Sequence, residues 1–184
     1  MKQVVHIFGA SGSGTTTLGR LIGSLPGWTH LDSDDYFWLP TDPPFTRKRP
    51  REDRVPLIQR DMDAAQNVVL TGSLVDWGDA LIPCFTLCIR TALEPSLRLA
   101  RLHQREWARF GARIEPGGDM EQNHQAFMDW AARYDEGDVT MRSRAMHDLW
   151  QKRLTCPVIT VDTTDTAQAF LKLKAQGIFG EEKD

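Results

Sequence analysis

The stretch Gly9-Ala10-Ser11-Gly12-Ser13-Gly14-Thr15-Thr16, directly after the apolar run Val4–Phe8, decides how the rest of the chain is read. Val4–Phe8, bounded by Gly9, reads as a buried strand. Thr16–Leu25 reads as a helix, with Leu18, Leu21, Ile22 and Leu25 on one face and Pro26-Gly27 as its stop. Between the two, the spacing is G-x-x-x-x-G-x-[ST]. Glycines there let the backbone fold back so that successive N–H groups point at one anion, and the helix amino terminus adds partial positive charge. The expectation is a cradle for the phosphates of a purine nucleoside triphosphate. Gly9, Ser11, Gly12, Ser13, Gly14, Thr15, Thr16 and Thr17 would form it, with Thr16 as a ligand to Mg²⁺ held on the same phosphates.

One position departs from the pattern. The lysine that ordinarily lies along the β- and γ-phosphates is replaced by Thr15, which offers only a neutral hydrogen bond. Two readings stay open: other cations supply the charge, or the chain binds nucleotide without turning it over. The backbone cradle is common to both.

Outward from the loop, Thr29–Leu31, Val68–Leu70, Phe85–Ile89 and Val158–Val161 read as further strands. They alternate with helices over Asp53–Gln66, Pro95–Phe110, Met120–Asp135, Thr140–Leu154 and Thr166–Ala175. Four prolines make the segment from Asp32 to Pro50 mostly loop, and Pro56 is expected in the first turn of its helix. Gly111–Asp119 is a glycine-rich break. Strands alternating with helices mean a parallel sheet covered on both faces. With no linker and no internal repeat, the 184 residues read as one domain.

A formal net charge of −3 leaves no cationic excess for a polynucleotide, so nucleic-acid polymers are not expected partners. A local arginine cluster can still hold a small anion. The amino terminus lacks the pattern of a signal peptide, and no run approaches the roughly 18 apolar residues of a membrane span. Three cysteines, Cys84, Cys88 and Cys156, argue against a disulfide framework and for a reducing compartment, the cytoplasm. Cys84 and Cys88 read as buried thiols in an apolar strand. His103, His124 and His147 lack ligand spacing and read as surface or capping residues. Most of the six tryptophans read as core, with Trp38 and Trp77 as candidates for lining an acceptor pocket.

With the loop in place, His30-Leu31-Asp32-Ser33-Asp34-Asp35 gains meaning. It ends the second strand on the side where the loop opens, which is where open α/β sheets bind ligands. In an extended segment Asp32 and Asp34 point the same way. Asp32 is then a candidate metal ligand, and Asp34 a candidate for orienting or deprotonating an acceptor hydroxyl. A solvated turn, or a helix cap ahead of Tyr36-Phe37-Trp38, is the competing use.

These stretches resemble the small P-loop kinases of metabolites and nucleotides. Gly9–Arg20 with Asp32-Ser33-Asp34 is similar to the start of shikimate kinases, in which the first aspartate sits near Mg²⁺ and the second holds a substrate hydroxyl. Val69-Leu70-Thr71-Gly72-Ser73-Leu74 is closer to gluconate kinases. Arg105–Asp119 followed by Phe127–Tyr134 resembles a group of uncharacterised bacterial adenylate-kinase-like ATPases, a likeness that covers most of the chain and names no substrate. The resemblance implies an α/β, three-layer P-loop NTPase fold with a five-stranded parallel sheet and a helical lid. Two departures stand out: Thr71 occupies the place of the usual aspartate after the third strand, and Gly72-Ser73 the place of a shikimate kinase glycine pair.

Arg98, Arg101, Arg105 and Arg109 form one stripe along the helix after Pro95, and Arg113 follows inside the break. An arginine brought over a γ-phosphate can supply ~10³–10⁵ in rate. Arg109 and Arg113, beside the glycines of a lid at about 109–119, are the candidate catalytic arginines. Arg98 and Arg101 read as an ordinary solvated face, and Arg142 and Arg144 as alternatives for a second phosphate contact. The expected function is ATP-dependent, Mg²⁺-assisted phosphoryl transfer to a small acceptor, by a monomer or homodimer. The alternatives are a nucleotide-binding protein or slow NTPase, and a nucleoside monophosphate kinase using Arg47, Arg49, Arg51 and Arg54.

Overall fold

Five strands, β1 (Val4–Gly9), β2 (Trp28–Asp32), β3 (Asn67–Thr71), β4 (Leu87–Ala92) and β5 (Val158–Asp162), form one parallel sheet in the order β2-β3-β1-β4-β5. The computed structural model describes residues 1–180. β1 is central: Val5 lies opposite Val69 on one side and Leu87 on the other. A sheet of parallel strands must be covered on both faces, and alternation along β1 divides the core between them. Val5 and Ile7 cluster with Leu18 and Ile22 of α1 (Thr15–Gly23) and Leu173 of α7 (Thr166–Ala175). Val4 and Phe8 cluster with Ile58 and Met62 of α3 (Arg51–Ala64) and Trp150 of α6 (Arg144–Gln151). Three layers result, as expected from the sequence.

Local chemistry sets the helix starts. Glu94 accepts from the Leu97 amide at the head of α4 (Pro95–Phe110), and Pro95 fills the position where no N–H is needed. Ser143 caps α6 and Asp165 caps α7 in the same way. α4 runs into a 3₁₀ turn at Gly111–Ile114, and α5 (Glu121–Ala132) packs back against it. The lid expected at about 109–119 falls on this turn and the residues on either side of it.

Several boundaries differ from the sequence reading. The segment after Asp32 is mostly loop, as expected, but it opens with a short helix, α2 (Ser33–Phe37), which Asp32 caps by accepting from the Asp34 amide. An antiparallel bridge between Trp38 and Lys48 then closes the proline-rich part. Asp34 therefore sits in a helical turn and not in an extended run with Asp32. α3 starts at Arg51, so Pro56 lies in its second turn rather than its first. β4 begins at Leu87 because Phe85 still ends a 3₁₀ helix at Asp79–Cys84. α6 begins at Arg144, after its Ser143 cap, and not at Thr140. Of the tryptophans only Trp28 and Trp150 are buried, so the core holds fewer than expected.

Cys88 is buried and Cys84 half-buried, and all three cysteines are free. No helix among the described residues is long and apolar enough to cross a membrane.

Ile22 is fully enclosed in the α1–α7 layer. Ile22→Ala is expected to cost ~2–5 kcal/mol through lost burial and a residual cavity. Urea unfolding should show a lower midpoint with an unchanged slope.

Candidate functional site: a braced phosphate loop at the head of a cationic cleft

The loop between β1 and α1 is held from behind. Gly12 and Gly14 adopt φ of +83° and +85°, a left-handed backbone that glycine enters without a steric penalty. The Ser13 hydroxyl donates to the Ala10 carbonyl at 2.7 Å and shares a hydrogen bond with the Thr91 hydroxyl at 2.6 Å. Thr163, just after β5, donates its hydroxyl to the Ser13 carbonyl at 2.7 Å. Gly14 is the N-cap of α1 and supplies no side-chain cap, so the first-turn amides stay available to an anion. Gly9, Ser11, Gly12, Ser13, Gly14, Thr15, Thr16 and Thr17 are thus gathered at one turn, and the Ser11, Gly12, Gly14 and Thr15–Thr17 members line a cleft of about 1370 Å³.

The acidic residues meet the loop at the same place. Asp32 divides its two oxygens: Oδ1 accepts from the Asp34 amide at 3.1 Å, and Oδ2 accepts from the Thr16 hydroxyl at 3.1 Å. Thr71 does not reach this pair through a carboxylate; its hydroxyl bonds His30 Nε2 at 2.8 Å. Asp34 opens to the water of the cleft while protein walls enclose it on most sides. That loss of hydration, followed by the neighbouring Asp32 charge, pushes its carboxyl above the ordinary value, against the pull of Arg142 and Arg105.

The arginines separate by what they touch. Arg98 is only 1% exposed, so the solvated-face reading fails for it. It pairs with Asp135 at 3.0 Å and donates to the carbonyls of Ala131 at 3.0 Å and Ser11 at 3.3 Å. It is a buried strut between the lid and the loop. Arg101 donates to the carbonyls of Thr163 and Thr164, and so is also fixed and not free in solvent. Arg105 and Arg109 line the cleft. Arg113 turns instead to Asp119 and Asp42, each at 2.7 Å, tying the lid to the segment beyond α2.

Arg142 and Arg144 part company. Arg144 pairs with Asp135 on an exposed face. Arg142 lines the cleft, reaches the Ser11 hydroxyl at 3.2 Å and stacks its guanidinium on Trp130 at 4.4 Å. Burial lowers its pKa from the ordinary arginine value, against the pull of Asp34. Arg142 is the cation that stands between the loop and Asp34.

His147 is neither a surface nor a capping residue. It is fully buried, with Nδ1 2.7 Å from the Tyr134 hydroxyl and Nε2 3.2 Å from the Ser73 hydroxyl. Burial, then Arg142, Arg90 and His6, lower its pKa to about 3, so it is neutral and orients Ser73 at the cleft wall. No spacing in the sequence links Ser73, Tyr134 and His147, and only the fold joins them. Among the described residues no three His, Cys, Asp or Glu side chains group as a metal cage. On the far wall Trp38 and Trp77 line the cleft together with Phe37 and Phe45.

The fold is that of the P-loop kinases. The fold likeness extends to shikimate kinase from Acinetobacter baumannii in complex with shikimate (TM-score 0.55, 13% identity, 97% of this chain and 94% of that one). It extends also to shikimate kinase from Bacteroides thetaiotaomicron (TM-score 0.55, 13% identity, 95% and 97%). A sugar kinase from Janibacter sp. HTCC2649 matches at a TM-score of 0.50 and 14% identity, over 99% of this chain and 100% of that one. No family model matches the sequence. The chain belongs to the family of the uncharacterized protein YqaC of Bacillus subtilis (strain 168), at 38% identity over 162 residues, 88% of this chain and 89% of that protein.

A Cβ on Gly14 would require an L side chain at φ +85° and would meet the Thr166 hydroxyl at 3.1 Å. Gly14→Val is expected to abolish ADP binding by calorimetry while far-UV circular dichroism stays that of the parent. Arg98→Ala, which removes a buried guanidinium from Asp135 and from the Ala131 and Ser11 carbonyls while Arg144 still pairs with Asp135, should destabilise the fold by ~1–3 kcal/mol in chemical denaturation.

Proposed function

We propose that the protein transfers the γ-phosphoryl group of ATP, with Mg²⁺, to a small-molecule acceptor. The observation that carries this reading is the convergence on one cleft of the phosphate loop, the Thr16–Asp32 pair, Asp34 and Arg142. Cations outnumber anions along its lining, although the whole chain is acidic. That local excess suits a polyphosphate.

Thr16 and Asp32 present a hydroxyl and a carboxylate 3.1 Å apart, a hard-oxygen set that fits magnesium. When bound there, magnesium would neutralise charge on the β- and γ-phosphates. The loop amides would hold those phosphates, and Asp34 would orient the acceptor hydroxyl. That oxygen forms the new bond to the γ-phosphorus, the bond to the leaving ADP oxygen breaks, and the proton passes to the Asp34 carboxylate. A carboxyl with a raised pKa keeps such a proton more readily than an ordinary one. Arg142 would supply the charge that Thr15 lacks, and Arg109 would add to it from the lid. Arg113 would act through the lid's position, by its pair with Asp42.

The reading of nucleotide binding without turnover draws on Thr15 alone. ADP release measured with and without candidate acceptors separates the two: release that no acceptor accelerates would favour the second.

Three outcomes are expected. Arg142→Ala should lower turnover by ~100-fold or more with ADP affinity little changed, because its charge serves the developing transition state. Thr15→Lys in that background should restore part of the rate; no recovery would remove Arg142 from the role of substitute lysine. Asp34 must be ionised to take the proton, so kcat should fall with acid around a pKa above the ordinary 3.8. Asp34→Asn should abolish that limb together with the activity.

A further inference from the structure

We propose that the acceptor half of the cleft is a stacking site for a flat ring carrying an anionic group, an inference that rests on the phosphotransfer reading above. Four aromatic rings follow one another along this wall. Trp77 lies 5.9 Å from Phe37, Phe37 4.9 Å from Trp38, and Trp38 6.1 Å from Phe45, centroid to centroid. All four line the cleft.

Core packing does not account for them. Phe37, Trp38 and Phe45 belong to neither buried cluster of the protein. Phe45 is 41% exposed, yet its backbone holds φ +62°. That left-handed conformation is strained for an aromatic residue, and strain of this kind persists where the surrounding structure enforces it at a functional surface. The strained turn presents the ring at the cleft, beneath the Arg109 guanidinium at 5.6 Å.

The charges beside the rings point to the substituent. Arg54 is committed to the wall: its face lies 4.1 Å from the Phe37 centroid, and Nε and Nη2 both donate to the Arg49 carbonyl. Lys48 is not committed. Its ammonium stands 5.8 Å from the Phe37 centroid and has no carboxylate partner among the described residues. A ring stacked on this wall would bring an anionic substituent within reach of Lys48. Ring-free polyols offer no π face to the wall, whereas aromatic stacking accepts any flat ring. A nucleoside monophosphate and an aromatic carboxylate share the required chemistry.

The test is calorimetry with Mg²⁺ and ADP saturating. The probes are AMP and CMP, adenosine and cytidine, anthranilate, and the non-aromatic anions shikimate and gluconate. Aromatic anions should bind about tenfold or more tighter than the non-aromatic pair. AMP against anthranilate tells a phosphate from a carboxylate. Trp38→Ala should remove most of that advantage, Trp38→Phe should keep it within about threefold, and Lys48→Ala should erase the preference of AMP over adenosine. Shikimate or gluconate binding as tightly as AMP, a Trp38→Phe variant as weak as Trp38→Ala, or mononucleotides that bind only by displacing ADP would overturn the proposal. The two readings fail separately. A parent that binds no ADP defeats the phosphotransfer reading and the proposal with it; one that binds ADP and prefers the non-aromatic probes defeats the stacking site alone.

Discussion

A side-chain carbon on Gly9 would sit 2.2 Å from the Thr91 hydroxyl, and one on Gly12 would sit 2.7 Å from the Arg98 carbonyl. The turn out of β1 is packed so closely against the carboxyl end of β4 and the side of α4 that only glycine passes. That closeness fixes what each strand end can contribute. β4 and β5 lie behind the loop and give Thr91 and Thr163 as braces. β2 and β3 lie on its other side, and their ends give Asp32 and the turn leading to Ser73. One side of the sheet stiffens the anion cradle, and the other faces it with an acceptor wall.

With Thr15 in place of the loop's lysine, the phosphotransfer reading needs its charge from elsewhere in the chain. Two guanidiniums converge on Ser11, Arg98 at its carbonyl and Arg142 at its hydroxyl. They are not equivalent. Arg98 is buried against Asp135, and its charge is spent inside the protein. Arg142 lies on Trp130 and borders open cleft, where an arginine can still act on a ligand.

What could be read from the sequence was what depends on near neighbours along the chain. Five apolar runs, the glycine spacing and the proline at the head of Pro95–Phe110 are local signals, and the strand and helix order follows from them. The cap ahead of Tyr36-Phe37-Trp38 was legible only as one of several uses for Asp32, because a proline-rich stretch follows it and dominates the window. The arginine stripe on α4 was visible, but spacing says only which residues share a face, not what packs on it; Arg98 proved to face α5 and the loop. The buried Ser73–His147–Tyr134 chain and the approach of Arg142 to Ser11 join residues far apart in sequence. No periodicity can record such contacts.

Asp32 has one further consequence. Its two oxygens hold two different objects, the head of α2 through the Asp34 amide and the start of α1 through Thr16. One carboxylate therefore fixes the distance between the start of α1 and the head of α2. Arg113 and Arg109 meet Asp42 and Phe45 instead, so those contacts are separate from that span.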